Sequence, residues 1–339
     1  MSMVLGLDIG YGNLKIAFGS ADAAGPLAEV YPATAVPAGK VTTSLFGDQQ
    51  DDEKGFSVQI DGKHWKACVP VASIQGKFTP QLHDRYVGSP EWLALAYAGL
   101  LLCGESVIDT VVSGLPVKHF VDADKCRQMR EALKGVHRIT EKRTVEVRNV
   151  QVVPQPIGAY MEAMHDDRYP EEAQDRLAEE TSLIIDPGFF SLDWTLIRPG
   201  GEYVQEASGS SLFAVSKLVE VARKLIAEDF GTPPSFNQLE NALREDRESL
   251  YVYRTSIPLK PYFSKAAEVA AKEGFNEMMG VMRQFDDPIN FVVMAGGGSQ
   301  LYRSLAQSLY PESQILIAER PELANARGFW HFGAQRYLG

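Results

Sequence analysis

Asp8 and Asp186 open the two most chemically informative stretches of the chain. Leu5 to Phe18 reads LGLDIGYGNLKIAF, and Leu183 to Leu196 reads LIIDPGFFSLDWTL. Laid over each other without a gap, Asp8 meets Asp186, Gly10 meets Gly188, Asn13 meets Ser191 and Leu14 meets Leu192. Each copy is an apolar run, then Asp-x-Gly and a turn, then a second apolar run, which is the pattern of a β-hairpin. A polyphosphate needs backbone N–H groups close to its oxygens, a cation to neutralise charge, and acids to hold that cation. The two loops carry those parts. Gly10, Gly12 and Gly188 permit close backbone approach, and Asn13 and Ser191 can donate to phosphate from loops that also hold Tyr11. Lys15 is the cation of the first loop, with reach to a β- or γ-phosphate. Asp8 and Asp186 suit Mg2+, held mainly through its water shell because this ion dehydrates reluctantly. Asp193 takes the repeat position of Lys15, so the loops are not equivalent. One such loop is ordinary turn chemistry. Two in register point to opposite walls of a nucleotide cleft.

Two further segments fit a nucleotide. Gly296-Gly297-Gly298-Ser299 lies between a strand pattern and a helix pattern, where glycine allows close approach and the helix start adds partial positive charge. Gln155 stands between Pro154 and Pro156. It reads either as part of a rigid hinge or as an amide that orients an attacking water; phosphoryl transfer is mostly positioning and electrostatics, so an amide can serve.

Other chemistries lack their signatures. The six histidines show no mutual motif spacing, and no GxSxG, HExxH or GxxxxGK[ST] occurs. The net charge of −11 argues against a generally nucleic-acid-binding surface. Cys68, Cys103 and Cys126 form no CxxC and read as buried thiols of a reducing compartment. The start, MSMVLGLDIG, lacks a signal-peptide pattern, and the most apolar segment, Trp92 to Cys103, is too short to span a bilayer. The expectation is a cytoplasmic protein with no membrane partner.

The elements that must position these residues alternate along both halves. Ser89-Pro90 opens a strongly apolar helix over Glu91 to Cys103. Thr110 to Leu115 and Thr144 to Val153 read as strands, and Asp122 caps a helix that closes at Gly135. Ile157 to His165 starts another helix. The acids of Arg168 to Thr181 read as a solvated helix or linker, and the polar run Gln49 to Lys54 as an exposed loop tip. Later come helices over Leu212 to Phe230, within Pro258 to Phe285 and over Tyr302 to Leu309, and a strand over Phe291 to Met294. Ala324 to Tyr337 reads as a helical run interrupted by glycines. With 339 residues, two α/β domains are the expectation, with a boundary near Gln155.

The order of these motifs resembles the actin/heat-shock chaperone/sugar-kinase superfamily. Asp8 to Lys15 is similar to its first phosphate motif and VVPQPIGA (Val152 to Ala159) to its first connecting segment. Ile185 to Asp193 is similar to the second phosphate motif, VMAGGGSQL (Val293 to Leu301) to the adenosine motif, and Asn325-Ala326-Arg327-Gly328 to the second connecting segment. DxGxxNxK, VVPQPIGAY and NARGFW bring the likeness nearest to the ParM/StbA group of bacterial actin-like proteins that segregate plasmids.

The resemblance implies an actin-like (ribonuclease H-like) fold, two related domains around a nucleotide cleft, each on a five-stranded sheet. Domain I would span 1–156, with 320–339 packing back on it, and domain II 157–319. It implies ATP and Mg2+ as cofactors, slow hydrolysis, filaments of this chain as the first partner, and a DNA-binding adaptor as the second. Asp8, Gly10, Asn13 and Lys15 would contact phosphate and metal from one side, Asp186 and Gly188 from the other. Gln155 would position water, Gly296, Gly297 and Gly298 would line the nucleoside pocket, and Lys217 and Glu220 fall about where the family contacts base or ribose. Phe189 and Phe190 depart from the small residues common in the second phosphate turn, where they narrow the cleft or turn outward, and Pro187 stiffens that turn. The rival readings are a small-molecule kinase, against which Gln155 counts by offering no carboxylate base, and a non-polymerising ATP-driven switch.

Overall fold

The computed structural model describes residues 2–41, 55–74, 86–188, 191–212, 215–244, 247–252 and 254–337. The polar run at 49–54 and Phe189 and Phe190 lie outside the described residues. By its contacts the chain divides into unit 1, Met1–Pro170 with Glu322–Gly339, and unit 2, Glu171–Pro321.

Unit 1 holds strands β1 (Met3–Ile9), β2 (Asn13–Ser20), β3 (Leu27–Pro32), β4 (Ala35–Pro37), β5 (Phe56–Ile60), β6 (Lys63–Ala67), β7 (Val107–Leu115), β8 (Gly135–Arg138) and β9 (Thr144–Pro154). Its helices are α1 (Pro90–Leu102), α2 (Val117–Phe120), α3 (Ala123–Leu133), α4 (Gln155–Ala163) and, at the end of the chain, α10 (Ala324–Ala334). Among the described residues the main sheet has six strands in the order β3-β2-β1-β7-β9-β8, and β4, β6 and β5 form a small second sheet. The resemblance implied five strands; β8 adds a sixth, paired antiparallel to β9.

The period of two along β1 sorts its side chains to opposite faces. Leu5 and Leu7 join Leu14, Ile16, Leu95 and Leu100 in one core cluster. Val4 joins Ala17, Ala326 and Trp330 in another. Each fully buried Val, Leu or Ile side chain among these contributes about 1.5–3 kcal/mol. Helix α1 is apolar on every side because it is buried between β1 and the small sheet, and Ser89 caps it by accepting from Trp92 N at 3.2 Å. Asp122 caps α3 in the same way, through Asp124 N and Lys125 N.

Unit 2 holds α5 (Glu171–Glu179), β10 (Ser182–Pro187), β11 (Leu192–Arg198), β12 (Glu202–Ser211), α6 (Val215–Phe230), α7 (Phe236–Arg244), β13 (Ser249–Val252), β14 (Thr255–Pro258), α8 (Lys260–Met282), β15 (Phe291–Met294), α9 (Ser299–Leu309) and β16 (Gln314–Ile317). Its main sheet runs β12-β11-β10-β15-β16. That is the order β3-β2-β1-β7-β9 over again. In both, the first two connections are antiparallel and the next two parallel. The repeat seen in two loops therefore extends to two sheets.

By contacts the chain divides between Pro170 and Glu171, where the resemblance implied 156/157; α4 packs on α10 inside unit 1. One expectation is corrected here. The glycines of the terminal run do not interrupt a helix. A Cβ on Gly328 would stand 1.7 Å from Gly158 O, and one on Gly333 2.7 Å from Val4 Cγ1, so these glycines let α10 lie directly on α4 and β1.

Candidate functional site

In unit 1 the parallel strands β1, β7 and β9 end along one edge of the sheet, where open α/β sheets place their ligands. Asp8 lies near the end of β1 and is fully buried. The hairpin register sets Lys15 opposite it. Lys15 Nζ donates to Asp8 Oδ2 at 2.8 Å. Gln155 Nε2 donates to Asp8 Oδ1 at 2.9 Å from 147 residues away. Gln155 is thus the first residue of α4, not part of a turn ahead of a helix: Pro156 sits within the first helical turn, where a missing N–H is tolerated. Gly114 leaves its side-chain space to Gln155; a Cβ there would come within 2.8 Å of Gln155 Cγ.

The turn itself closes through Gly10 N donating to Asn13 O at 3.0 Å. A Cβ on Gly10 would lie 3.3 Å from that oxygen and 3.5 Å from Lys15 Nζ, so glycine here provides clearance. The Tyr11 ring stacks on Tyr86 with centroids 4.9 Å apart. The Gly12 carbonyl accepts from Ala33 N at 3.1 Å, which ties the turn to the segment after β3. The structure brings Asp8, Gly10, Tyr11, Gly12, Asn13, Lys15 and Gln155 together around one loop.

The second loop repeats the first in backbone. Gly188 N donates to Ser191 O at 2.8 Å, and Asp186 lies opposite Asp193 as Asp8 lies opposite Lys15. Both acids are buried, Asp186 at 6% exposure and Asp193 at 2%. Asp193 accepts from Ser191 Oγ at 2.5 Å and from Ser210 Oγ on β12. Ser191, expected to donate to phosphate, thus donates to its own strand neighbour.

The Gly296–Gly298 turn lies against this loop. Gly298 N donates to Pro187 O at 3.0 Å. Gly296 has φ 74, and a Cβ on it would stand 2.3 Å from Asp186 Oδ1, so only glycine fits beside this carboxylate. Val215 N, at the start of α6, donates to Gly188 O at 3.4 Å. Lys217 and Glu220 follow within the first two turns of that helix and pair with each other at 3.2 Å, both partly exposed. Asp186, Gly188, Gly296 and Gly298 therefore share one site, with Gly297 in the same turn and Lys217 and Glu220 on the adjoining helix.

Asp193 and Ser210 are the residues that reasoning from sequence left without a role. The signal was present: Asp193 stands as far from Asp186 as Lys15 does from Asp8, which across a hairpin means face to face.

These donors fit Mg2+ and a phosphate chain. Carboxylate oxygens are the hard ligands this ion takes, and it uses one or two of them together with water and phosphate oxygens. Among the described residues no group of three or more His, Cys, Asp or Glu side chains converges as an all-protein metal cage. Among the same residues no helix is long and apolar enough to cross a membrane.

Residues 6–158 match the family model for the N-terminal domain of actin-like proteins. Residues 184–307 match the model for the C-terminal domain of the archaeal MreB-like actin homologue. An archaeal actin homologue, Ta0583, solved in complex with ADP, superimposes with a TM-score of 0.76 at 19% identity, covering 98% of this chain and 99% of that one. A 15-stranded ParM filament from Clostridium botulinum gives 0.71 at 19% identity over 98% and 99%. ParM from Bacillus thuringiensis with AMPPNP gives 0.67 at 12% identity over 100% and 99%. At such identities the likeness speaks for the fold. No curated protein matches the chain by sequence.

Proposed function

We propose that this chain, which belongs to the actin-like protein family, is an ATPase that assembles with copies of itself into filaments in Mg-ATP and comes apart after hydrolysis. The observation that carries this reading is the repeated Asp-x-Gly hairpin, found at the same place in two sheets of the same strand order. One such loop is a turn; two, each with a buried acid at a strand end, are a means of gripping a charged ligand.

In this reading each residue has a task. Asp8 and Asp186 hold Mg2+ through its waters. The Gly10–Asn13 and Gly188–Ser191 turns bring backbone close to phosphate, and Lys15 balances charge on the β- or γ-phosphate. Gly296, Gly297 and Gly298 accept the nucleoside, with Lys217 and Glu220 at its edge. Gln155, an amide already placed beside Asp8, orients the attacking water. Bound Mg2+ would spread the charge of the triphosphate and fix its conformation. Self-assembly is supported by the fold shared with a ParM filament. DNA segregation through an adaptor fits a chain of net charge −11, which is unsuited to gripping DNA directly.

Light scattering and phosphate release on the same sample test the proposal. Scattering should rise on adding Mg-ATP, hold with a non-hydrolysable analogue, and decay as phosphate appears. No nucleotide-dependent assembly at any workable concentration would defeat the filament reading. Calorimetry showing no uptake of a purine triphosphate would defeat the ATPase reading with it.

A further inference from the structure

Unit 1 buries a charged cluster that the phosphate loop does not use. Glu162, on α4, has a side chain only 4% exposed. Arg327 of α10 brings Nε to 2.8 Å from Glu162 Oε1, and His331 of α10 brings Nε2 to 3.6 Å from Oε2. Among the described residues Glu162 Oε2 has no hydrogen-bond partner. The segment after α4 adds His165, whose ring stacks on His331 at 4.3 Å, and Asp166, which takes Arg168 in a bidentate pair. Strands β7 and β9 also pack on α4. Their charges, Asp109, Glu146 and Arg148, pair with one another.

The same helix begins with Gln155, whose amide holds Asp8. Between the two ends, α4 meets α10 main chain to main chain. A Cβ on Gly328 would stand 1.7 Å from Gly158 O and 2.9 Å from Glu162 N. No side chain cushions that contact, so a shift of one helix passes directly to the other.

We propose that Glu162 is a positioning residue for the unit 1 phosphate loop: when its carboxyl ionises between α4 and α10, α4 loosens and the Gln155 amide loses its hold on Asp8. This rests on the ATPase reading for its effect on turnover, but not for its effect on the helix. Burial pushes the Glu162 carboxyl up to about 7, against the pull of Arg327. Burial, then His165 and Arg327, push His331 down to about 3, so His331 is neutral near neutral pH and offers Glu162 no charge.

The signs separate the two groups. Glu162 has a raised pKa in the fold, so its contribution is full below the usual glutamate range and is lost as pH rises through about 7. His331 has a lowered one, so its contribution is full above the usual histidine range and is lost as pH falls toward about 3. A loss that grows as pH rises toward about 7 therefore belongs to Glu162, since His331 acts in the opposite direction.

Hydrogen exchange in α4, compared between the native protein and Glu162→Gln, tests this without nucleotide. At about pH 8.5 the native helix should exchange about three- to tenfold faster than the variant, and at about pH 4, below the usual glutamate range, the two should agree. Equal rates at both values, or the same ratio at both, overturn the proposal. Phosphate release should fall about three- to tenfold across pH 7 in the native protein, stay level in Glu162→Gln, and leave nucleotide affinity unchanged in both. If Glu162→Gln fails to fold, Arg327→Met serves: it keeps the carboxyl and removes its cation, so the step should move to higher pH. A step that stays in place overturns the assignment. A native protein that takes up no triphosphate would defeat the ATPase reading, and the exchange measurement would still decide the role of Glu162.

Discussion

The loop at Gly10 sets its acid against a lysine, and the loop at Gly188 sets its acid against another acid. Backbone is shared: a glycine N–H closes each turn onto the carbonyl three residues on. Charge is not. Asp8 is held by Lys15 from its own hairpin and by Gln155 from α4. Asp193 is held by hydroxyls, from Ser191 and from Ser210. Facing acids in one hairpin repel each other, so the second loop gains most from a cation. The first brings a cation of its own. A duplicated frame has been given unlike ends, one with a cation opposite its acid and the other with a second acid.

The largest expected effect tests whether both loops work. Asp8→Ala and Asp186→Ala should each lower ATP hydrolysis by about 10³-fold, measured as phosphate release at saturating nucleotide. If either variant keeps its rate, that loop is only a turn. Stability should then separate them. Asp8→Ala takes a carboxylate partner from the mostly buried Lys15 and should cost about 3 kcal/mol in urea denaturation without nucleotide. Asp186→Ala removes one of two facing acids and should cost less, about 1 kcal/mol. Equal losses would mean the charge difference does not matter to the fold. Next, Gly296→Ala should cost about 2 kcal/mol because of its φ of 74 and its contact with Asp186, whereas Gly297→Ala, which opens onto free space, should stay within about 0.5 kcal/mol. Last, Ser210→Ala should cost about 1 kcal/mol by taking one hydroxyl from Asp193.

How much of this the sequence shows depends on how local the cause is. The two hairpins are legible because apolar runs flank Asp-x-Gly, and α1 and α3 because Ser89 and Asp122 announce their starts. Strand β15 runs over the residues expected, since a glycine run ends it. Strands β8 and β16 and the β13–β14 hairpin are short, four residues each, and carry too little pattern to stand out. Helix α7, of nine residues, follows a turn-rich stretch. Non-local causes are the ones that mislead. Gly328 and Gly333 look like helix breakers until Gly158 and Val4 are seen against them. Gln155 looks like a turn residue until Asp8, 147 positions earlier, is found at its amide. The site residues were nameable one by one, but the Asp193 and Ser210 pairing was not, because β12 had no sequence signal of its own.

Unit 2 is one unbroken stretch of chain, whereas unit 1 is finished by α10. Val4 and Ala17, made before unit 2, share their cluster with Ala326 and Trp330, made after it. During synthesis the second unit can therefore complete itself while the first still waits for its closing helix. Strand β1 leaves the ribosome well ahead of the helix that covers it, and a nascent chain cut short before Ala324 would leave β1 with one greasy side bare to water.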